Sequence, residues 1–234
     1  MKKSFFNTIK SPNTLTTLGL VACFLACTGD FAAVFILSPY YPGYDHLRQP
    51  MSALGASNSP VSAIMSAWWI TIGVLFIIFA FGFYKAFPKE DKLKNLAAWL
   101  ILIYGIGEEI GSGVFPGNHL DGHLTNIGII HNIIGGIGVA GLLILPFILM
   151  KYFPKQQSQA FHYISVTAAI LGMTFFFIFT LSKIMPLPEN NIISYRGLWQ
   201  SLYIGVYYIY LMIISVKVKM MAGIYIYNQN IKPC

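Results

Sequence analysis

Charge is what this chain has least of. Among 234 residues there are 8 acidic and 15 basic side chains, 10% charged in all, against 56% hydrophobic. A water-soluble domain carries roughly 25% charged residues, so this chain cannot coat a globular surface, and its natural solvent is lipid. Cysteine is nearly absent as well. Cys23 and Cys27 lie four apart inside the first apolar run and Cys234 ends the chain, which excludes a disulfide framework or a zinc knuckle. No Walker motif, dinucleotide fingerprint, Gly-x-Ser-x-Gly elbow or His-Glu-x-x-His string occurs. ATP-driven transport and ordinary serine hydrolysis therefore find no support. His131 and His162 are expected at opposite membrane faces, so no facing pair for haem is in view.

What is present is a set of six apolar segments, at 14–37, 61–84, 95–114, 128–149, 159–181 and 196–219. Each is near the roughly 20 residues that cross a hydrocarbon core. A backbone in lipid must satisfy its own hydrogen bonds, so all six are expected to be helices. The expected fold is an all-α, six-helix transmembrane bundle forming a single transmembrane domain over 1–234. Met220–Tyr227 is apolar but too short to span alone. Lys2, Lys3 and Lys10 followed by Leu20-Val21-Ala22-Cys23 resemble a secretory leader, yet the apolar run continues to Leu37 and reads as a span.

The basic residues sort by connection. All but Arg48, Lys183 and Arg196 lie in the N-terminal tail, the second and fourth connections or the C-terminal end. The positive-inside rule then places both termini in the cytoplasm of a plasma membrane, the inner membrane in a Gram-negative cell. The +7 net charge thus reads as topology and not as a nucleic-acid footprint. Asp30, Asp45, Glu108, Glu109, Asp121 and Glu189, with His46, His119, His123 and His131, all map to the outer side.

Ionisable groups inside a membrane cost several kcal/mol unless paired or hydrated, and mark function by default. Asp30, in the outer half of the first segment, and Glu108 and Glu109, near the end of the third, are therefore candidate catalytic or ligand-binding residues. The alternative for the glutamates is a structural clamp with Arg48 or Arg196. Gly107 and Gly111 form a Gly-x-x-x-Gly pair suited to close helix contact. His131 stands one turn from Gly135 and two from Gly138, and could line the same cavity or serve as a hydrogen-bonded structural residue. His119-Leu-Asp-Gly-His123 is the most metal-like string. Its His119, Asp121 and His123 could hold a divalent ion such as zinc if helical, but Gly117, Asn118 and Gly122 favour a turn. The first outer loop, with Asp45, His46, Arg48 and Ser52, is either a ligand-contacting cap or a packed loop closed by an Asp45–Arg48 pair.

The loop string Gln49-Pro-Met-Ser-Ala-Leu-Gly-Ala-Ser-Asn-Ser-Pro60 resembles the first signature of the DUF998 family of uncharacterised membrane proteins. Gly113-Val-Phe-Pro116 is similar to that family's Phe-Pro element. His131 matches a His that opens the fourth helix, and Gly197-Leu-Trp-Gln200 a Gly-Leu-x-Gln segment that opens the last. Asn118 stands where the family usually has an acidic residue. The resemblance implies a multi-pass helical fold and implies no activity.

The expected function is an outer-facing polar cavity between the first, third, fourth and sixth helices. Asp30, Glu108, Glu109 and His131 would build it, and the Asp45–Ser52 loop and Arg196 would frame a lipid-like or small amphiphilic ligand. Membrane lipids are the expected partners. Three rivals remain: an intramembrane hydrolase or transferase using a metal or a carboxylate–His pair, a small-solute or proton-coupled transporter, and a non-catalytic assembly factor.

Overall fold

The computed structural model describes residues 14–87, 91–120, 123–185, 188 and 190–230, with backbone alone at 119–120 and 222–230. Six helices are long and apolar enough to cross a membrane. They are α1 (Thr14–Leu37), α2 (Ser62–Lys85), α3 (Lys92–Val114), α4 (Asn126–Tyr152), α5 (Gln159–Ile184) and α6 (Arg196–Asn230). The chain is an integral, multi-pass membrane protein with an all-α fold. Large apolar side chains face outward along the helices, as at Phe35, Ile64 and Phe177, which suits a lipid solvent and would be intolerable in water. The helices begin and end within a few residues of the predicted segments, except that α6 runs on to Asn230, past the expected end at 219. Residues 220–230 continue α6.

Each helix packs against the next in sequence, and α6 returns to α1, so the bundle closes as a ring. Glycine sets the tightest seams. A Cβ at Gly19 of α1 would stand 2.7 Å from the Gly82 Cα of α2, and one at Gly107 of α3 would stand 2.9 Å from the Gly138 Cα of α4. With little hydrophobic force between helices in lipid, such small-residue contacts supply the packing. The expected Gly107–Gly111 surface is used this way, Gly111 lying against Ile134.

The interior divides lengthwise. Toward the lysine-bearing end it is filled with rings: Phe83, Phe87, Tyr152, Phe153 and Phe161 follow one another with centroids 4.7–5.2 Å apart, the first pair tilted and the rest edge to face. Toward the other end it is polar. There the connection 38–61 folds over the bundle through two short 3-10 turns, Ser38–Tyr40 and Met51–Gly55. The α3–α4 connection adds a ribbon of two short strands, β1 (His119–Leu120) and β2 (His123–Leu124).

Candidate functional site

The site begins with an irregularity in α3. Over Gly105–Ile110 the helix widens into a π-turn, a form found mostly as single turns at functional sites. The two glutamates sit in that turn. Glu109 points into the bundle and is 3% exposed. Glu108 turns toward α4, where a Cβ on Gly135 would stand 2.6 Å from its Oε2. The glycine row of α4 thus makes room for the carboxylate as well as for the backbone.

Asp30 of α1 meets Glu109 through a phenol from the far end of the sequence. Tyr208 of α6 donates to Asp30 Oδ2 at 2.9 Å and lies 2.9 Å from Glu109 Oε1. Tyr104, one turn before the glutamates, donates to the same Oε1 at 2.7 Å and stands 2.9 Å from the Tyr208 hydroxyl. Trp69 Nε1 of α2 donates to Asp30 Oδ1 at 3.2 Å. Asp30 is 2% exposed, and it and Glu109 accept from neutral donors on three helices, α2, α3 and α6. The rings are held in turn by apolar edges: Phe76 packs edge-on to Tyr104 at 5.0 Å, and Phe31 edge-on to Tyr208 at 5.9 Å. The partners the structure gives Glu109 are phenols, where an arginine clamp was one expectation. Arg196 donates to the Ser182 carbonyl at 3.1 Å, and Arg48 lies 3.6 Å from Asp45 and over the Tyr195 ring at 5.0 Å.

Asp30, Glu108 and Glu109 line one small cavity, of about 20 Å³, together with Trp69, Ser112, Gln200 and Ile204, and Met51 and Ser52 of the loop. That is room for about one water. The loop is fastened to α6. The Met51 amide donates to Gln200 Oε1 at 2.6 Å, and the Leu198 amide to the Leu47 carbonyl at 2.9 Å. Gly197 is required at this junction, because a Cβ there would overlap the carbonyl oxygens of His46 and Gln49. At Gly55 a Cβ would instead overlap the Trp69 ring.

Other expected residues lie around this centre. Asp45 closes its own turn, its Oδ1 accepting from the Leu47 and Arg48 amides at 2.8 and 3.3 Å. Its pairing with Arg48 is half exposed and contributes at most about 1 kcal/mol. His46 packs within the loop, 2.9 Å from Ser38 Oγ and against Phe35 and Tyr44. Burial, and then the Asp45 carboxylate, hold the Tyr44 hydroxyl well above the usual range for a phenol. It therefore stays a donor toward the Gln49 and Pro50 carbonyls. His131 is not among the residues that line the cavity. Its Nδ1 lies 2.9 Å from the Phe115 carbonyl and its ring lies against Gly117. His123 stands exposed on β2, while the His119 side chain and Asp121 lie outside the described residues. His119–Leu120 and His123–Leu124 pair as strands, so the helical spacing that would bring the two histidines to one face is not adopted. Among the described residues no three His, Cys, Asp or Glu side chains converge as a metal site.

A family described as a protein of unknown function, DUF998, matches residues 20–217. The chain belongs to the DUF998 family. No curated protein and no solved structure matches it. The strings that carry the DUF998 resemblance meet in space. Met51 of the first is bonded to Gln200 of the last, and Phe115 of the second holds His131 of the third. Asn118, the departure from the DUF998 pattern, ties the second region to the first: its Oδ1 accepts from the Ser57 amide and its Nδ2 donates to Ser57 Oγ, both at 2.8 Å. Asn118→Ala should lower stability by about 1 kcal/mol in thermal unfolding in detergent. Asn118→Asp should restore most of it, since the Ser57 hydroxyl can reverse and donate. An aspartate as damaging as alanine would show that the amide is needed for something else.

Sequence reasoning missed Tyr104, Tyr208, Trp69 and Ser112. Two signals were available. Tyr104 precedes Glu108 by one helical turn, and α6 carries Tyr203, Tyr207, Tyr208 and Tyr210 within an apolar span, where a buried phenol usually finds a partner.

Proposed function

We propose that this chain is a membrane binding protein, one transmembrane domain whose acidic cavity takes the small polar head of a lipid-like amphiphile. The lysine distribution supports an orientation with both termini in the cytoplasm and the cavity toward the outer face of the plasma membrane. The observation that carries the reading is the convergence of three carboxylates, Asp30, Glu108 and Glu109, on one cavity beneath the 38–61 connection. Room for about one water admits a primary ammonium or a hydroxyl and rejects a sugar or a phosphate. Three acids favour the ammonium. The packed rings beyond the cavity favour a binding site over a through-path.

Trp69 lines the cavity and bonds Asp30, so it serves as a reporter. In nanodiscs, dodecylamine should change tryptophan fluorescence saturably, while dodecanol acts weakly and dodecanoate not at all. Glu108→Gln should weaken the amine response by roughly tenfold to a hundredfold, the loss of one charged hydrogen bond. Equal responses to the three amphiphiles, or an unchanged response in Glu108→Gln, would sink the proposal.

A further inference from the structure

An open groove lies away from the carboxylates, between the end of α2 and the start of α3. It holds about 290 Å³ and is lined by Ala80, Phe81 and Tyr84 on one side and Asn95, Ala98, Trp99 and Leu102 on the other. Its walls are almost wholly apolar, and Trp99 is 60% exposed along it. In a bilayer such a surface is covered by hydrocarbon, so its occupant is a lipid chain. What distinguishes the groove from the rest of the lipid-facing surface is its mouth. Tyr84 carries two ammonium groups near its ring, Lys94 Nζ at 3.9 Å and Lys85 Nζ at 6.0 Å from the centroid. Lys94 is fully buried and Lys85 is exposed. Lys92, also exposed, stands three residues before Asn95 and seven before Trp99, on the same helical stripe as the groove wall. Of the two acids in this connection, Asp91 caps α3, accepting from the Lys94 amide at 3.1 Å, and Glu90 lies outside the described residues.

We propose that this groove is a binding site for an anionic phospholipid. One acyl chain lies along Phe81, Ala98, Trp99 and Leu102, and the phosphate is met by Lys85 and Lys92, with Lys94 behind Tyr84 adding positive potential. Trp99 suits the boundary between chain and headgroup, where amphipathic rings concentrate. A zwitterionic lipid brings an ammonium of its own to the three lysines, so charge selects against it.

Native mass spectrometry of the detergent-purified full chain tests this, with phosphatidylglycerol and phosphatidylcholine of identical chains as probes. Wild type should retain one phosphatidylglycerol at collision energies that strip phosphatidylcholine. Removing two lysines, Lys85→Gln with Lys92→Gln, should weaken that retention by roughly tenfold or more. The same charge change at Lys151 and Lys155, on another connection, should leave it unaltered. Leu102→Trp, which fills the groove from a partly exposed position, should also displace the lipid while the protein still elutes as a single folded species. Equal retention of both lipids by wild type would overturn the proposal. So would equal losses from the two lysine pairs, which would indicate surface charge without a site, or full retention by Leu102→Trp.

Discussion

Tyr208→Phe should destabilise the protein by about 2–5 kcal/mol, the largest loss expected from deleting a single oxygen. That oxygen meets Asp30, Glu109 and Tyr104 at once. Without it, Asp30 Oδ2 loses its donor and Glu109 Oε1 keeps only Tyr104, and an unsatisfied buried acceptor costs about 1–3 kcal/mol, more when it is charged. The neighbouring residue supplies the control. Tyr207 packs its ring against Gly172, and its buried hydroxyl has no hydrogen-bond partner. Tyr207→Phe should therefore be neutral or slightly stabilising. Thermal unfolding in one detergent, monitored by circular dichroism, compares the two. Equal effects would mean that the α1–α3–α6 cluster does not hold the bundle together.

The second large effect concerns the α3–α4 seam. Gly138→Ala should cost about 3 kcal/mol or more, at the upper end of overpacking losses. The added methyl would overlap the Glu108 amide nitrogen, with the Gly107 carbonyl carbon at 2.9 Å and the Glu108 Cα at 3.0 Å. All three are backbone atoms, so no side chain can swing aside. The seam must open, carrying the π-turn and both glutamates with it. Gly136, two residues away, has nothing within 4 Å of its position for a Cβ. Gly136→Ala should then stabilise by up to about 1 kcal/mol through helix propensity. Reduced unfolding temperature in Gly138→Ala beside an unchanged or raised one in Gly136→Ala is the expected pattern. Matching behaviour would mean that the helices are not in contact there.

The fold was legible because lipid imposes a coarse rule. An apolar run of about 20 residues must be a helix, and the six spans follow from that alone. The convergence of Asp30, Glu108 and Glu109 was legible for a related reason: each is an acid where an acid is costly. What joins them was not. A phenol is inexpensive in a membrane span, so nothing in composition separates Tyr208, which bonds two acids, from Tyr207, which bonds none. The π-turn was hidden too, since Gly105-Ile-Gly-Glu-Glu-Ile110 has no periodicity of its own over six residues. His131, one candidate for the cavity wall, instead bonds the Phe115 carbonyl, a contact made by a loop whose path the sequence leaves open.

The fastening of Met51 to Gln200 joins residues 149 positions apart, and that of Glu109 to Tyr208 spans 99. Chains emerge N-terminus first at about 5–20 residues per second. For roughly 5–20 s, then, a growing chain holds its buried acids while the tyrosine that joins them is still unmade. The half-built protein must shelter those acids with water, protons or an insertion factor. A chain cut short after α5 would carry the acidic half of the site into the bilayer with neither its bridge nor its cover.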